Sequence, residues 1–170
     1  LDAFGAAYGY TIDGGPLGEF CYETFNAAEV HVQATGLSVH TGTAKGIMIN
    51  AAEALMRFHQ LLPPQDRPEY TEGYDGFFYL ERMQGDCEYA QADYIIRDHD
   101  QKKVEKRKQM MRDAVSYINY QLDSEALTIS VKDQYHNLAD VIMRPENEHL
   151  IENARVAYAA IGQEMTCIPM

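Results

Sequence analysis

Alternating apolar and polar residues predict four β-strands between residues 19 and 135. In the clearest stretch, Val30, Val32 and Ala34 share one face and polar residues share the other. Such a period of two is typical of a half-buried strand. The predicted strands cover residues 20–25 with 29–34, 77–83, 88–97 and 127–131. Since the short turn Gly85-Asp86 joins the second to the third, we expect these two to pair antiparallel.

Apolar residues spaced three and four apart predict two helices in the same region. The first stripe runs from Ile47 to Leu62 and is ended by Pro63-Pro64. The second runs from Val104 to Leu122, and Asp98 or Asp100 can cap it. The element order is therefore β-α-β-β-α-β, the split βαβ arrangement. It predicts an α+β, ferredoxin-like sandwich, in which a four-stranded antiparallel sheet carries both helices on one face.

The two ends of the chain do not fit this unit. Residues 6–13 are predicted to form a separate strand that runs into Asp13-Gly14-Gly15. A final helix is expected from Leu150 to Ile161, ending at Gly162, with no sheet of its own. We therefore interpret both ends as pieces of another domain.

Composition narrows the possible partners. The 170 residues include 14 Lys plus Arg against 26 Asp plus Glu, a formal charge of −12, and 46% are apolar. This balance predicts a folded chain and disfavours nucleic acid as a partner. The one basic run, Lys102 to Lys108, is expected to form the exposed face of a helix. No window has the roughly 18 apolar residues of a membrane span, and no basic leader is present. The three cysteines form no Cys-x-x-Cys pair. We therefore expect a cytoplasmic protein with reduced cysteines.

Familiar catalytic signatures are absent from the sequence. The stretch Gly42-Thr43-Ala44-Lys45-Gly46 lacks the Gly-Lys-Ser/Thr succession of a phosphate loop. The sequence contains no His-Glu-x-x-His, Gly-x-Ser-x-Gly or Gly-x-Gly-x-x-Gly motif. No pairing of a nucleophile with a base can be identified.

Three residues remain as candidates, each with a structural alternative. Asp13 precedes two glycines, a position that suits an oxygen ligand to a metal or a turn-forming Asp, and composition alone favours the turn. His40 lies in a loop ahead of a helix, where it can donate to an oxyanion or simply face solvent. Arg97 ends a strand, where it can pair with Asp98 or Asp100, or bind a substrate carboxylate.

Five motifs follow one another along the chain. They are Tyr10-Thr11-Ile12-Asp13-Gly14-Gly15, Phe25-Asn26-Ala27-Ala28, Val39-His40-Thr41-Gly42-Thr43-Ala44-Lys45-Gly46, Glu72-Gly73-Tyr74-Asp75-Gly76-Phe77 and Tyr94-Ile95-Ile96-Arg97-Asp98. Together they strongly resemble the peptidase T family, the dizinc tripeptide aminopeptidases of bacteria. The similarity is colinear and runs over nearly the whole chain.

The resemblance implies a particular domain organisation. In this family a catalytic α/β domain, which holds two zinc ions, is interrupted by a lid or dimerisation domain of the split βαβ type. Residues 17–137 match the lid, whereas residues 1–16 and 138–170 match flanking pieces of the catalytic domain.

The resemblance also implies roles for individual residues. Asp13 matches a terminal zinc ligand. His40 matches a lid histidine that reaches the partner subunit's active site across a homodimer and stabilises the tetrahedral intermediate. Arg97 matches a clamp for the carboxylate of the tripeptide substrate, and Asn137 matches a further substrate-binding residue. Thr41 departs from the family pattern, in which proline commonly follows the lid histidine.

Most of the family's zinc machinery has no counterpart in these 170 residues: the His-x-Asp motif, the bridging Asp, the Glu-Glu pair, the late His and the Arg-Gly-Gly-Thr-Asp segment. Because one Asp cannot fix two ions and also supply a general base, we expect a central region of a zinc-dependent tripeptide aminopeptidase that is inactive alone. The alternative is a non-catalytic dimerisation or protein-interaction module with a ferredoxin-like fold. Both ends of such a module would pack on its own core.

Overall fold

The computed structural model of the protein describes residues 5–169. The strands and helices, in chain order, are β1 (Glu19–Glu23), β2 (Asn26–Thr35), α1 (Ala51–Leu61), β3 (Phe77–Gly85), β4 (Tyr89–Asp98), α2 (Gln101–Leu122), β5 (Leu127–Tyr135), α3 (Ala139–Ile142), α4 (Glu148–Ala160) and β6 (Thr166–Pro169). Short 3₁₀ turns lie at Thr41–Thr43, Pro68–Tyr70 and Pro145–Asn147. Among these residues, none of the helices is both long and apolar enough to span a bilayer.

The large sheet has the strand order β3-β4-β2-β5, and every neighbouring pair is antiparallel. Helices α1 and α2 pack on one face of it, and their buried residues join the inward side chains of the sheet in one core. The predicted α+β architecture, with four antiparallel strands and two helices on one face, is confirmed. Neither helix covers the other face, and apart from the buried Ala27 the side chains of β2 and β4 on that face are half-buried or exposed.

Small side chains in the central strands let the helices approach the sheet closely. The inward positions of β2 and β4 are mostly alanine and valine, and larger residues fill the ends of the layer. Among these, Phe58 of α1 packs edge-on against Tyr94 of β4, with ring centroids 5.9 Å apart. Helix α1 begins at Ala51, later than the predicted stripe, because the Asn50 side chain caps it by accepting from the Glu53 N–H at 3.1 Å.

The predicted exposure of the whole basic run is wrong for two of its members. The Lys108 side chain is only 3% exposed and contacts Asp133 and Glu105. The Arg107 side chain, 15% exposed, pairs with Asp66 at 3.1 Å. Lys108 lies four residues after Val104 and three before Met111, so helical spacing puts it on the apolar stripe itself. Acidic partners from β5 and from the loop before β3 pair with the two inward side chains.

The ends of the chain agree with their prediction only in part: the expected final helix is present as α4 (Glu148–Ala160). Residues 6–13 form no strand, although their alternation suggested one. Instead, residues 166–169 form β6, which pairs in parallel with β1, so the flank after β5 does contribute to a sheet. Strands β1 and β2 thus belong to different sheets. A strand needs a neighbour to bond its backbone, and within the described residues β6 is the strand that pairs with β1.

Candidate functional site

Arg97 lies near the end of β4 on the helix-free face of the large sheet. Side chains alternate along a strand, so Asp98 points to the opposite face, where it pairs with Arg107 at 3.5 Å and not with Arg97. In the register, Arg97 lies between Phe77 of β3 and Ala27 of β2. Its Nε is buried and has no hydrogen-bond acceptor among the described residues. Since buried donors are almost always bonded, this guanidinium is available to an anion.

Aromatic side chains line the corner next to Arg97. Phe77 packs edge-on against Phe25 at 5.5 Å, and the Phe25 ring lies 4.2 Å from that of His99. Tyr74 contacts the same imidazole at 4.9 Å and donates its hydroxyl hydrogen to the Glu23 carboxylate at 2.8 Å. That hydrogen bond raises the pKa of Tyr74, so the phenol stays protonated at neutral pH. The corner therefore combines an unpaired guanidinium N–H with apolar ring surface.

Asn137 follows β5 at the same end of the sheet and is 6% exposed. Its Oδ1 accepts from the backbone N–H groups of Thr24 at 3.1 Å and Ala139 at 2.9 Å. Its Nδ2 donates to the His99 carbonyl at 3.3 Å. Both lone pairs and one N–H of the amide are thus used by the backbone, which leaves one N–H for a ligand. The expected contact with substrate stays a prediction.

Asn26 is a structural residue that the sequence reasoning missed. It is 2% exposed, and its Nδ2 donates to the carbonyls of Asp98 at 3.2 Å and His99 at 2.9 Å. Its Oδ1 accepts from the Asn137 N–H at 2.9 Å. The sequence did contain a signal for this position. Asn26 lies two residues before Ala28 and four before Val30, so the alternation of the strand places its side chain on the same inward face and implies a buried amide.

His40 is exposed in the loop between β2 and α1. Its Nδ1 accepts from the backbone N–H of Gly42 at 3.2 Å. Its carbonyl accepts from the Thr43 N–H at 2.9 Å and from the Thr43 hydroxyl at 3.2 Å. The helix expected directly after His40 is only the 3₁₀ turn Thr41–Thr43.

His40 and Arg97 lie at opposite ends of the sheet. Arg97 pairs with Ala27 near the start of β2, whereas Leu37, beyond its end, bridges to Ile49. The segment from Ala27 to Leu37 spans about 33 Å at 3.3 Å per residue, and the few residues on to His40 return at most about 10 Å. An extended tripeptide measures only about 10 Å. The His40 and Arg97 of one chain therefore do not meet on one ligand of that size.

Asp13 has no cluster of further metal ligands around it among the described residues. It is exposed, and its Oδ1 accepts from the N–H of the next residue, Gly14, at 2.8 Å. Within residues 5–169, no three His, Cys, Asp or Glu side chains are grouped so that they could hold a metal ion. The described residues alone therefore do not fit a zinc centre, and the assignment of Asp13 as a ligand stays a prediction.

A curated relative shows how much of a longer protein this chain represents. The chain is 47% identical over 168 residues to peptidase T of Lysinibacillus sphaericus, covering 99% of this chain and 41% of that protein. The chain thus spans about two fifths of the length of this relative.

Solved structures share the fold. The crystal structure of aminopeptidase PepT from Bacillus cereus superposes with a TM-score of 0.77 at 19% identity, covering 97% of this chain and 43% of that one. A tripeptidase from Staphylococcus aureus gives a TM-score of 0.75 at 13% identity, covering 93% and 41%. Residues 22–123, more than half of the chain, match the family model described as a peptidase dimerisation domain. The resemblance seen in the sequence motifs is confirmed: this chain belongs to the peptidase dimerisation domain family.

Proposed function

We propose that this chain is the lid and dimerisation region, with its flanks, of a zinc-dependent tripeptide aminopeptidase that works as a homodimer. The enzyme removes the N-terminal residue from tripeptides. Support comes from the 47% identity to a peptidase T and from the fold shared with a tripeptidase. The observation that carries the proposal is the separation of His40 from Arg97, because two groups suited to one small peptide lie at opposite ends of the sheet.

In the proposed enzyme each active site takes residues from two subunits. Arg97 binds the substrate carboxylate, since its buried Nε lacks an acceptor and a guanidinium matches a carboxylate. His40 of the partner subunit reaches the same site and donates to the developing oxyanion. Asn137 contributes its remaining N–H to the substrate. Asp13 would hold one of two zinc ions together with ligands outside these residues, and the ions would supply the activated water.

The domain division is also part of the proposal. The family resemblance gives residues 17–137 as the lid and residues 1–16 and 138–170 as parts of the catalytic domain, and the strand pairing moves the first of these boundaries. Because β1 pairs with β6, the boundary before the lid is best placed between Glu23 and Asn26, where the chain passes from the small sheet to the large one.

We further propose a cytoplasmic enzyme with neither nucleic acid nor membrane as a partner, in line with the charge of −12.

The packing of the flanks favours this proposal over a self-contained interaction module. The module requires both ends to pack on its core. Among the described residues, the main core cluster includes no member beyond Leu127 except the partly buried Ile129 and Val131 of β5. The flanks contact each other instead, through the β1–β6 pair and through the Tyr10 hydroxyl, which donates to the Leu150 carbonyl at 2.7 Å.

Subunit complementation in the full-length enzyme tests the shared site. His40→Ala and Arg97→Ala proteins, each nearly inactive, are mixed, dissociated and reassociated. If His40 acts across the dimer, each heterodimer regains one intact site. Random pairing makes half of the dimers mixed, so about a quarter of wild-type activity returns. No recovery, with mixed dimers confirmed by mass, would show that both residues act within one subunit.

A further inference from the structure

The hydrogen bond from Gly42 to His40 constrains which ring nitrogen carries the proton. A backbone N–H only donates, so Nδ1 of His40, its acceptor at 3.2 Å, presents a lone pair. A neutral imidazole has a single N–H, which must then lie on Nε2. The ring therefore holds its acceptor nitrogen against the loop and leaves Nε2–H as the free donor.

We infer that Gly42 is a positioning residue for His40, fixing both the tautomer and the orientation of its imidazole. This inference rests on the proposed function, since it explains how a neutral His40 keeps a donor ready for an oxyanion. A peptide oxyanion needs an N–H, whereas the other tautomer would present a lone pair to it.

The absence of a side chain at residue 42 also leaves room for the His40 ring in this position. A Cβ there would lie 3.1 Å from Cε1 and 3.2 Å from Nδ1 of the His40 ring, closer than ordinary contact. A Cβ at residue 42 would therefore require the ring to shift by a few tenths of an ångström. The Thr43 N–H and hydroxyl, both donating to the His40 carbonyl, fix the backbone on which the ring is mounted.

The tautomer of His40 can be measured directly by NMR, without an activity assay. Long-range ¹H–¹⁵N spectra of the ¹⁵N-histidine protein, recorded near pH 8.5 where imidazoles are neutral, report the two tautomers of each ring. In the folded protein His40 should be more completely in the Nε2–H form than in the same protein unfolded in urea. Equal ratios in the two states would overturn the inference, whatever the variants show.

Two variants then identify the donor. Gly42→Pro lacks the N–H and should return the His40 ratio to its unfolded value. Thr43→Val, a matched control in the same turn, removes a bond to the His40 carbonyl but none to the ring, so the bias should persist. A bias that survives in Gly42→Pro would overturn the role of this N–H.

Kinetics of the full-length enzyme separate this inference from the proposed function. Gly42→Pro should lower kcat about tenfold with little change in KM, since the ring is no longer held. If His40→Ala retains wild-type activity, the proposed role of His40 fails while the tautomer result stands. If His40→Ala is impaired but Gly42→Pro keeps the wild-type kcat, the positioning role of Gly42 fails.

Discussion

The backbone N–H of Asn137 donates a 2.9 Å hydrogen bond to the side chain of Asn26, 111 positions earlier in the chain. The two asparagines lie where the chain enters the large sheet and where it leaves it. The Asn137 side chain also accepts from the Thr24 N–H, just before β2, and donates to the His99 carbonyl, between β4 and α2. These hydrogen bonds therefore tie the large sheet to its flanks at the end where Arg97 lies.

Removing the Asn26 side chain should destabilise the protein strongly. Asn26→Ala leaves the Asn137 N–H and the carbonyls of Asp98 and His99 without this partner in a buried region. We expect a loss of about 2–4 kcal/mol in the free energy of unfolding, measured by urea titration. The control Gln84→Ala, at an exposed position of β3, should change it by less than about 0.5 kcal/mol. Similar values for both variants would contradict the structural role of the amide.

Gly76 should not tolerate a methyl group. A Cβ at this buried residue would lie 2.0 Å from Asp98 Oδ2 and 2.8 Å from the Arg97 carbonyl oxygen. The Gly76 carbonyl also accepts a hydrogen bond from the Arg107 side chain at 2.7 Å. We expect Gly76→Ala to cost about 2–3 kcal/mol of stability by displacing the loop or the ion pair beneath it. Gly14→Ala, where nothing lies within 4 Å of the added Cβ, is the matched control and should be nearly neutral in thermal unfolding.

The two ends of the Lys108 ion pair should respond differently to truncation. Lys108 is buried, whereas the Asp133 side chain is 58% exposed. Asp133→Ala leaves a buried ammonium with Glu105 alone, and we expect it to cost about 3 kcal/mol in urea unfolding. Lys108→Met leaves only carboxylates that water can solvate, and it should cost about 1 kcal/mol or less. The reverse order would show that burial does not govern this pair.

The pH dependence of Lys108 follows from the same contacts. Burial lowers its pKa, but hydrogen bonds from the ammonium to Asp133 and Glu105 outweigh that effect, so the net pKa is raised. A raised pKa contributes stability below the ordinary lysine value of 10.5, which is lost as the pH rises through the folded-state pKa. Lys108→Met should therefore show a smaller decline in stability at alkaline pH than the wild-type protein.

His59 should make the protein less stable in mild acid. Burial, and then the charge of Arg67, lower its pKa. Arg67 donates to Nε2 at 3.3 Å, so Nδ1–H donates to the Tyr94 hydroxyl at 3.1 Å. Below the ordinary value of 6.5 the unfolded chain binds a proton that the folded protein resists, so stability falls as the pH drops. In urea titrations between neutral and mildly acidic pH, His59→Gln should lose less stability than wild type, whereas exposed His136→Gln should match wild type.

Much of the candidate site could be located from sequence, but not its arrangement. The sequence motifs give Asp13, His40 and Arg97 as candidates, and the family resemblance adds Asn137. Their local spacing could not show that His40 and Arg97 lie at opposite ends of the sheet, because that distance depends on the register of β2 with β4. One of the alternatives for Arg97, a pair with Asp98, is not formed for a related reason: neighbours in a strand point to opposite faces, and Asp98 pairs with Arg107.

By itself, the sequence determined the four strands of the large sheet and the two helices packed on it. Periods of two and of three to four are local properties, and the burial of one face is what selects them. Only the tertiary structure decided the β1–β6 pair, the pairing of Lys108 with Asp133 and the link between Asn26 and Asn137. Each of these joins residues that are distant in the chain. Their partners are set by how the layers pack and not by any local pattern.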